Sequence, residues 1–251
     1  MPTVARYAWL RQLVAFVLLL GLWEAAGRAG LLNPLYAPEP SRIAGALIQL
    51  FADGEIWTHL EATFTAALGG LVLGIVVGIA LGIVAALVPL VAELLAPVMT
   101  LLNAIPRVVM APLFVIWLGI GLASKVALSF ILVAVMIFFT VFTGIQQVDK
   151  RLVERIVTLG GGRIELIRHV YLPSVAAWVL GSLKVAVGFA FTGAVVGEFV
   201  AASRGLGYLL SFAQSTYNAS LMLALVLLIM VVVLAIFAAA GRLERHLLRW
   251  S

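Results

Sequence analysis

Cysteine is absent from this chain of 251 residues, and charged residues are scarce, at 11%. The lack of cysteine excludes disulfide bonds, thiolate metal sites and thiol nucleophiles. Soluble domains carry about 25% charged residues, so the chain lacks the polar shell that a water-exposed core of this length needs. Hydrophobic residues make up 64% of the sequence. We therefore expect a protein that lies within a lipid bilayer.

Groups of side chains that could support catalysis are also scarce. His59, His169 and His246 lie far apart in the sequence, and none is paired with a carboxylate at the spacing of metal ligands. Interfacial or solvated histidines are the simpler interpretation. We expect no metal site and no catalytic residues, which disfavours a membrane-embedded enzyme.

Nucleotide-binding loops are missing as well. None of Lys125, Lys150 or Lys184 follows a glycine in a phosphate-binding loop of the Gly-x-x-x-x-Gly-Lys type. The Gly-Leu-Gly-Tyr sequence at residues 205–208 is too short for a dinucleotide fingerprint, and we interpret it as a turn outside the membrane. We expect the chain itself to bind neither ATP nor another cofactor.

Six segments are long and apolar enough to cross a bilayer, which takes about 20 residues of helix. They cover residues 10–29, 57–87, 94–120, 125–146, 174–200 and 219–241. Prolines at 89, 97, 106 and 112 bend or break the third segment and its approach. Trp23, Glu24 and Arg28 stand where a signal peptide would have small residues, so the first segment is interpreted as a span. The fold class is predicted to be an all-α membrane protein, with one domain over residues 1–251 and its core at 57–241.

Between the first two spans, Pro34, Pro38 and Pro40 exclude a continuous helix. Ser41 is a suitable N-cap for a short amphipathic helix that follows. Such a helix is expected to lie at the outer membrane interface.

Basic residues are distributed unequally between the two sides of these spans. With the N-terminus in the cytoplasm, ten lie inside and four outside, which is the bias of the positive-inside rule. We therefore predict that both termini are cytoplasmic. The inside set is Arg6, Arg11, Lys150, Arg151, Arg155, Arg163, Arg168, Arg242, Arg245 and Arg249, and the outside set is Arg28, Arg42, Lys125 and Arg204.

The second span carries a stripe of small residues at every fourth position, which lets another helix approach closely. Internal packing is the simpler interpretation; facing a second copy of the chain or lining a pathway are the alternatives. The stripe consists of Ala62, Ala66, Gly70, Gly74, Gly78, Gly82 and Ala86.

The long polar segment at residues 149–173 follows the fourth span. Leu152, Ile156 and Leu159 recur at helical spacing, which predicts a short helix along the membrane surface. The glycines at 160–162 are expected to end or bend it. Pro173 would then start the fifth span, where proline is tolerated.

This segment resembles the signature of the permeases of bacterial and archaeal ATP-binding-cassette importers. That signature begins with Glu-Ala-Ala, has a glycine four residues after the second alanine, and ends with Ile-x-Leu-Pro after nine intervening residues. The chain has Glu154, Gly160, Val170, Leu172 and Pro173 at those spacings. It departs from the signature at residues 155 and 156, where the family has alanines, and at 170, where it has isoleucine.

The resemblance extends along the chain. Residues 38–41 look like the family's Pro-x-Pro-Ser, residues 104–125 like its proline-containing third span, and residues 196–209 like its Glu-Phe and Gly-Leu-Gly-Tyr-Leu pattern. These features are similar to the branch that transports nitrate, sulfonates and taurine, together with thiamine-precursor pyrimidines and riboflavin.

The resemblance implies an assembly in the bacterial or archaeal inner membrane. Two permease copies would form the pathway as a homodimer, two ATPase subunits carrying ATP and Mg would bind below, and a periplasmic or lipid-anchored binding protein would deliver a small solute. Residues 149–173 would be the loop that couples the permease to the ATPase. The expected coupling residues are Glu154, Arg155, Ile156, Leu159, Gly160, Arg163, Leu172 and Pro173.

Charges within the predicted spans are costly and by default functional or paired. Lys184 lies about 15 Å into the fifth span, and Glu198 lies about 21 Å further along, so the two do not pair directly. Together with Arg107, they are candidates for contact with substrate along a pathway lined by the third and fifth spans. A structural polar network is the competing interpretation. A secondary transporter is the alternative function, but the internal repeats that it would predict are not evident.

Overall fold

The computed structural model describes residues 8–247, without the side chains of residues 8, 107 and 243–247. The described range contains helices and connecting turns but no strands, as the predicted fold class requires. The helices are α1 (Ala8–Arg28), α2 (Pro40–Ala52), α3 (Ile56–Leu87), α4 (Pro89–Ala104), α5 (Arg107–Leu118), α6 (Leu122–Gln146), α7 (Lys150–Thr158), α8 (Arg163–Leu166), α9 (Leu172–Val200), α10 (Leu206–Ser215) and α11 (Ala219–Leu247).

Two compact units divide these helices. The first consists of Met1–Trp57 and Leu209–Met230, and the second consists of Thr58–Tyr208 and Val231–Ser251. The chain passes from the first unit into the second near the start of α3. It returns to the first unit within α10 and enters the second unit again within α11. The second unit contains most of the predicted core and all of the 149–173 segment.

In the first unit, α2 is held to α1 by acidic side chains. The Glu39 side chain fills the space over Gly27, where its Cγ would lie 2.5 Å from an added methyl group. Glu24 accepts hydrogen bonds from the backbone N and Oγ of Ser41, at 3.0 and 2.8 Å. Helix α2 therefore begins at Pro40 with Glu39 as its N-cap. The prediction that Ser41 caps this helix is wrong, because its hydroxyl is bound by Glu24.

In the second unit, α3 packs on α6 through the stripe of small residues. Gly70 faces Ser129, Gly74 faces Val133, Gly78 faces Ile137 and Gly82 faces Val141. The approach is so close that a methyl group added at Gly74 would lie 2.6 Å from the Val133 Cβ. Since both sets of numbers increase together, the two helices run in the same direction. The glycine face of α3 is thus covered by α6 of the same chain.

Helix α9 packs on α6 in the opposite direction. A methyl group at Gly193 would lie 2.6 Å from the Cα of Ser129, and one at Gly197 would lie 3.3 Å from the Cγ of Lys125. Nearer the other end, Gly144 accommodates the indole ring of Trp178. Helices α3, α6 and α9 therefore form one tightly packed block. Its buried residues include Val133, Ile137, Val141, Ala186, Ala190 and Ala194.

The predicted third span is broken into two helices, α4 and α5, whose axes differ by 108°. The break lies at Ile105 and Pro106, both in extended or turn conformations. Because α3 and α6 run in the same direction, the chain between them must return to the side where α3 began. The pair α4–α5 therefore counts as one crossing. With α1, α3, α6, α9 and α11, each long and apolar enough to span, the described residues contain six candidate crossings.

The fifth span is longer than predicted. Arg163–Val200 forms a continuous run of 38 residues, in which a π turn at Ile167–Tyr171 joins α8 to α9. A proline inside a regular helix lacks an N–H and clashes with the carbonyl four residues earlier. The wide π turn immediately before Pro173 accommodates this residue without ending the helix. Pro173 is the second residue of α9, so the predicted start of the spanning helix at this proline is confirmed to within a residue, although the π turn joins α9 to the helix before it.

The glycine stripe yields a stability prediction. Gly74→Val should lower stability by about 1–3 kcal/mol, the usual cost of overpacking, because the new side chain would overlap Val133. Gly21→Val in α1 is a matched control, since an added Cβ there has nothing within 4 Å. Thermal unfolding in detergent should show a lower midpoint for Gly74→Val alone. Equal midpoints for the two variants would contradict the packing described.

Candidate functional site

The 149–173 segment folds as a helix, a glycine turn and a second helix. Asp149 caps α7 by accepting a hydrogen bond from the backbone N of Arg151, at 2.9 Å. At its other end, Gly160 N donates to Val157 O and Gly161 N donates to Ile156 O, at 3.0 and 2.9 Å. This pair of bonds is a Schellman motif. Gly160 has a φ of +79°, a left-handed conformation that glycine adopts without steric cost.

The second helix of the segment is also capped. Glu165 reaches back to accept a hydrogen bond from Gly162 N, at 2.8 Å. From Arg163, this helix then continues through the π turn into α9. Any force applied to the glycine turn is therefore passed directly to a spanning helix.

Several apolar side chains of the segment are exposed. Leu159 is 79% exposed and Ile164 is 75% exposed, and Leu152 and Val157 are about half exposed. Ile156 was predicted to share this face, but it is half-buried and lies over Gly161. The exposed apolar surface therefore centres on the glycine turn rather than on one side of α7.

The remaining residues predicted to couple the chain to an ATPase surround this surface. Glu154, Arg155 and Arg163 are exposed, and no ion pair involving them is formed within the described part of the chain. Leu172 and Pro173 are exposed at the start of α9. The segment thus offers apolar contacts ringed by charges of both signs.

Two of the three candidate pathway charges are described by the structure, and they lie apart on α9. Lys184 is half-buried, and its Cε and Nζ lie 2.7 and 3.1 Å from where a methyl group at Gly241 would be. Glu198 lies at the far end of α9, so the prediction that it does not pair with Lys184 agrees with the helix geometry. The Arg107 side chain lies outside the described residues.

Glu198 is the centre of a buried polar cluster, and its side chain is only 1% exposed. Its Oε2 accepts hydrogen bonds from Thr63 Oγ1 and from Gly207 N, at 2.8 and 3.0 Å. Thr63 Oγ1 also accepts from Leu206 N at 2.9 Å, and His59 Nδ1 accepts from Gly205 N at 3.1 Å. We call residues 59, 63, 198 and 205–207 the Glu198 cluster.

At two positions of the cluster, there is no room for any side chain larger than that of glycine. Gly205 has a φ of +120°, and an added methyl group would overlap the carboxyl group of Glu198. A methyl group at Gly207 would overlap the carbonyl of Val195 and lie 2.8 Å from the Glu198 Cβ. The turn is therefore built directly against the carboxylate.

Lys125, which was predicted to be one of the basic residues on the outside, is only 7% exposed. Its Cγ lies 3.3 Å from where a methyl group at Gly197 would be, so its side chain packs against the residue that precedes Glu198. No direct ion pair joins Lys125 to Glu198 within the described residues. The sequence analysis missed Lys125, Thr63 and His59 as neighbours of Glu198. A polar pair four residues apart at the start of an apolar helix was the available signal for His59 and Thr63.

The 149–173 segment and the Glu198 cluster lie at opposite ends of the second unit. Helix α9 connects them over 29 residues, or about 43 Å at 1.5 Å per residue. Neither location holds a group of His, Asp or Glu side chains able to bind a metal ion, among the residues described. The second unit therefore has an exposed apolar surface at the glycine turn and, at its other end, the buried Glu198 cluster.

Comparison with known proteins identifies relatives along nearly the whole chain. The riboflavin transport system permease protein RibX of Chloroflexus aurantiacus is 36% identical over 251 residues, covering 99% of this chain and 94% of that protein. The formylaminopyrimidine transport permease protein ThiX of Halalkalibacterium halodurans is 30% identical, with 97% of each covered. The putative aliphatic sulfonates transport permease protein SsuC of Bacillus subtilis is 28% identical, covering 99% of this chain and 90% of that protein.

Solved structures show the same fold. A chain of an amino acid ABC transporter aligns with a TM-score of 0.66 at 16% identity, covering 80% of this chain and 97% of that one. A chain of the inward-facing MetNI methionine ABC transporter aligns with a TM-score of 0.61 at 22% identity, covering 79% and 96%. The family model described as the binding-protein-dependent transport system inner membrane component matches residues 74–249. With this match and relatives of near-full coverage, the chain belongs to that family and is a permease subunit of an ABC transporter.

Proposed function

We propose that this permease subunit is driven by a separate ATPase subunit that docks on the 149–173 segment. The exposed apolar side chains at the glycine turn support this proposal. Leu159 and Ile164 are each at least three-quarters exposed, on a segment that is capped at both helix junctions. Exposed apolar surface on an ordered element marks an interaction site. The segment also continues without a break into α9, so docking there can move a spanning helix.

An alternative is that these side chains dip into the membrane interface, as an amphipathic surface helix does. The double capping of the glycine turn favours a protein partner, because a lipid surface does not require a fixed backbone turn. The family description adds a second argument, since a binding-protein-dependent system depends on components beyond this chain. We therefore infer an assembly of two permease copies, two ATPase subunits carrying ATP and Mg, and an external binding protein.

The 149–173 segment is proposed to be cytoplasmic, as are both termini. Six crossings bring the two ends of the chain to the same side of the membrane. Ten basic residues lie on the proposed cytoplasmic side against Arg28, Arg42, Lys125 and Arg204 on the other, which is the bias of the positive-inside rule.

The orientation can be tested by cysteine labelling, because the chain has no cysteine of its own. An impermeant maleimide added to intact cells should label Arg42→Cys and Arg204→Cys. It should label Arg155→Cys only after the membrane is opened, since that residue would face the cytoplasm. Labelling of Arg155→Cys in intact cells would invert the proposed topology.

Docking of the ATPase can be tested by substitutions in the segment. Gly160→Asp strains a left-handed residue by about 1 kcal/mol and adds bulk at the docking surface, so the ATPase subunit should no longer co-purify. Glu154→Lys should weaken the same contact by reversing an exposed charge. Both variants should still insert into the membrane in normal amounts.

Matched controls separate docking from folding. Gly54→Asp places the same residue at a second exposed left-handed glycine, with φ +74°, and Glu55→Lys reverses a neighbouring exposed charge. Both controls should retain the ATPase subunit and ATP-dependent uptake. The docking proposal fails if Gly160→Asp and Glu154→Lys behave like these controls.

We propose riboflavin as the substrate to test first, with a sulfonate such as taurine, a nitrate-like anion or a pyrimidine as the alternatives. Nearly the whole of this chain aligns with RibX at 36% identity, against 28% for SsuC. Membrane vesicles containing the chain with its ATPase and binding protein should accumulate labelled riboflavin only when ATP is supplied. Accumulation of taurine in place of riboflavin would assign the chain to sulfonate transport, and ATP-independent accumulation would favour a secondary transporter.

A further inference from the structure

We propose that the Glu198 carboxylate, with Lys125 as its buried counter-charge, is a positioning residue for transport. It holds the turn at residues 205–208 on the first turns of α3. This turn would therefore move together with the block of α3, α6 and α9 when the 149–173 segment is displaced at the opposite end. The inference rests on the proposed function, because it requires an ATP-driven displacement of that segment.

The first argument is the way the turn is held. Three consecutive backbone N–H groups, at Gly205, Leu206 and Gly207, each donate to a side chain of the Glu198 cluster. His59 and Tyr208 stack at the edge of the cluster, with ring centroids 5.8 Å apart and planes 8° apart. These donors open α10, where the N–H groups of the first turn have no partners within the helix. The turn is thus attached through side chains of α3 and α9.

The second argument is the charge. A glutamine could accept the same two hydrogen bonds through its amide oxygen, without bringing an ionisable group into the bilayer. The chain instead carries a carboxylate whose Oε1 is buried with no hydrogen-bond partner. A buried acceptor without a partner is costly, and an ionisable group within the membrane is by default functional. Oε2 alone accepts the two hydrogen bonds that hold the turn, so Oε1 is left as buried acceptor capacity beyond what the cap uses.

The third argument is the relation between Glu198 and Lys125. Both are buried, and the Lys125 side chain packs over Gly197, the residue before Glu198, yet the two form no direct ion pair among the described residues. Gly193 and Gly197 are the α9 residues that contact α6 at this level. Because this contact is tight, α9 and α6 are expected to move together rather than slide past each other. Glu198 Oε1 has no hydrogen-bond partner, so a change in the side-chain rotamer of Lys125 can bring its ammonium onto this oxygen without displacing either helix.

The experiment uses the complete complex of this chain with its ATPase subunit, reconstituted in lipid. Ser203→Cys places one exposed reporter beside the turn. Its rate of reaction with a maleimide is measured without nucleotide and after trapping with ATP and vanadate. With Glu198 present, trapping should change the rate by about fivefold or more, the range of typical coupling between sites. Glu198→Gln should abolish this change while leaving ATPase co-purification and the thermal unfolding midpoint as they were.

Two further variants sharpen the result. Glu61→Gln removes an exposed carboxylate from the same helix as Thr63, and it should keep the full change in rate. Lys125→Met should lose the change, and the double variant with Glu198→Gln should lose no more than either single variant, because the two residues act as a unit. If the double variant reduces the change in rate by the product of the two single-variant reductions, the residues act independently and the assignment of Lys125 is overturned.

The remaining outcomes are also decisive. The proposal is overturned if Glu198→Gln keeps the full change in rate, since the carboxylate would then be only a helix cap. It is equally overturned if Glu198→Gln prevents assembly, or if the parental chain shows no change on trapping. Failure of the unsubstituted chain to bind any ATPase subunit is a separate result, which would refute the proposed function itself.

Discussion

Direct contact between the glycine stripe of α3 and the surface of α6 is the constraint on which the rest of the second unit depends. In a bilayer the hydrophobic effect does not favour one helix pairing over another, so close packing of small residues decides which helices associate. Gly74, Gly78 and Gly82 bring α3 within van der Waals distance of α6 and hold the two in the same direction. That direction forces the chain between them to recross the membrane, although α4 and α5 are sharply bent. The six-crossing topology follows from this packing.

Helix α9 completes the block through glycines of its own, at 193 and 197, and it links the two candidate sites. At one end it continues the second helix of the 149–173 segment without a break, and at the other end it contains Glu198. A stiff element of this length transmits displacement rather than absorbing it. The exposed apolar turn and the buried carboxylate lie at the two ends of this one helix, which is why we propose that they move together. Glycine has a different role near each end of α9. Gly160 adopts the left-handed conformation that ends α7, and Gly205 leaves room for the carboxylate of Glu198.

Much of the architecture was predictable because membrane insertion depends on local composition. The spans at 57–87, 125–146 and 219–241 agree closely with helices α3, α6 and α11, and the family resemblance is confirmed by the match over residues 74–249. Proline was the least reliable signal. At Pro106 the chain breaks as predicted, whereas at Pro173 a π turn lets the helix continue. The difference depends on whether neighbouring turns can widen, which is a property of the packed structure.

The sequence by itself determined that this chain is a multi-span helical membrane protein, where its spans lie, and that residues 149–173 contain a short helix ended by glycines. Hydropathy, glycine spacing and capping residues act over short stretches of chain, so they can be read locally. Only the tertiary structure decided that the stripe faces α6, that the broken third span bends by 108°, and that the Lys125 side chain packs against α9 next to Glu198. Thr63 and Glu198 are 135 residues apart in sequence. Contacts of that kind depend on the direction and register in which the helices pack.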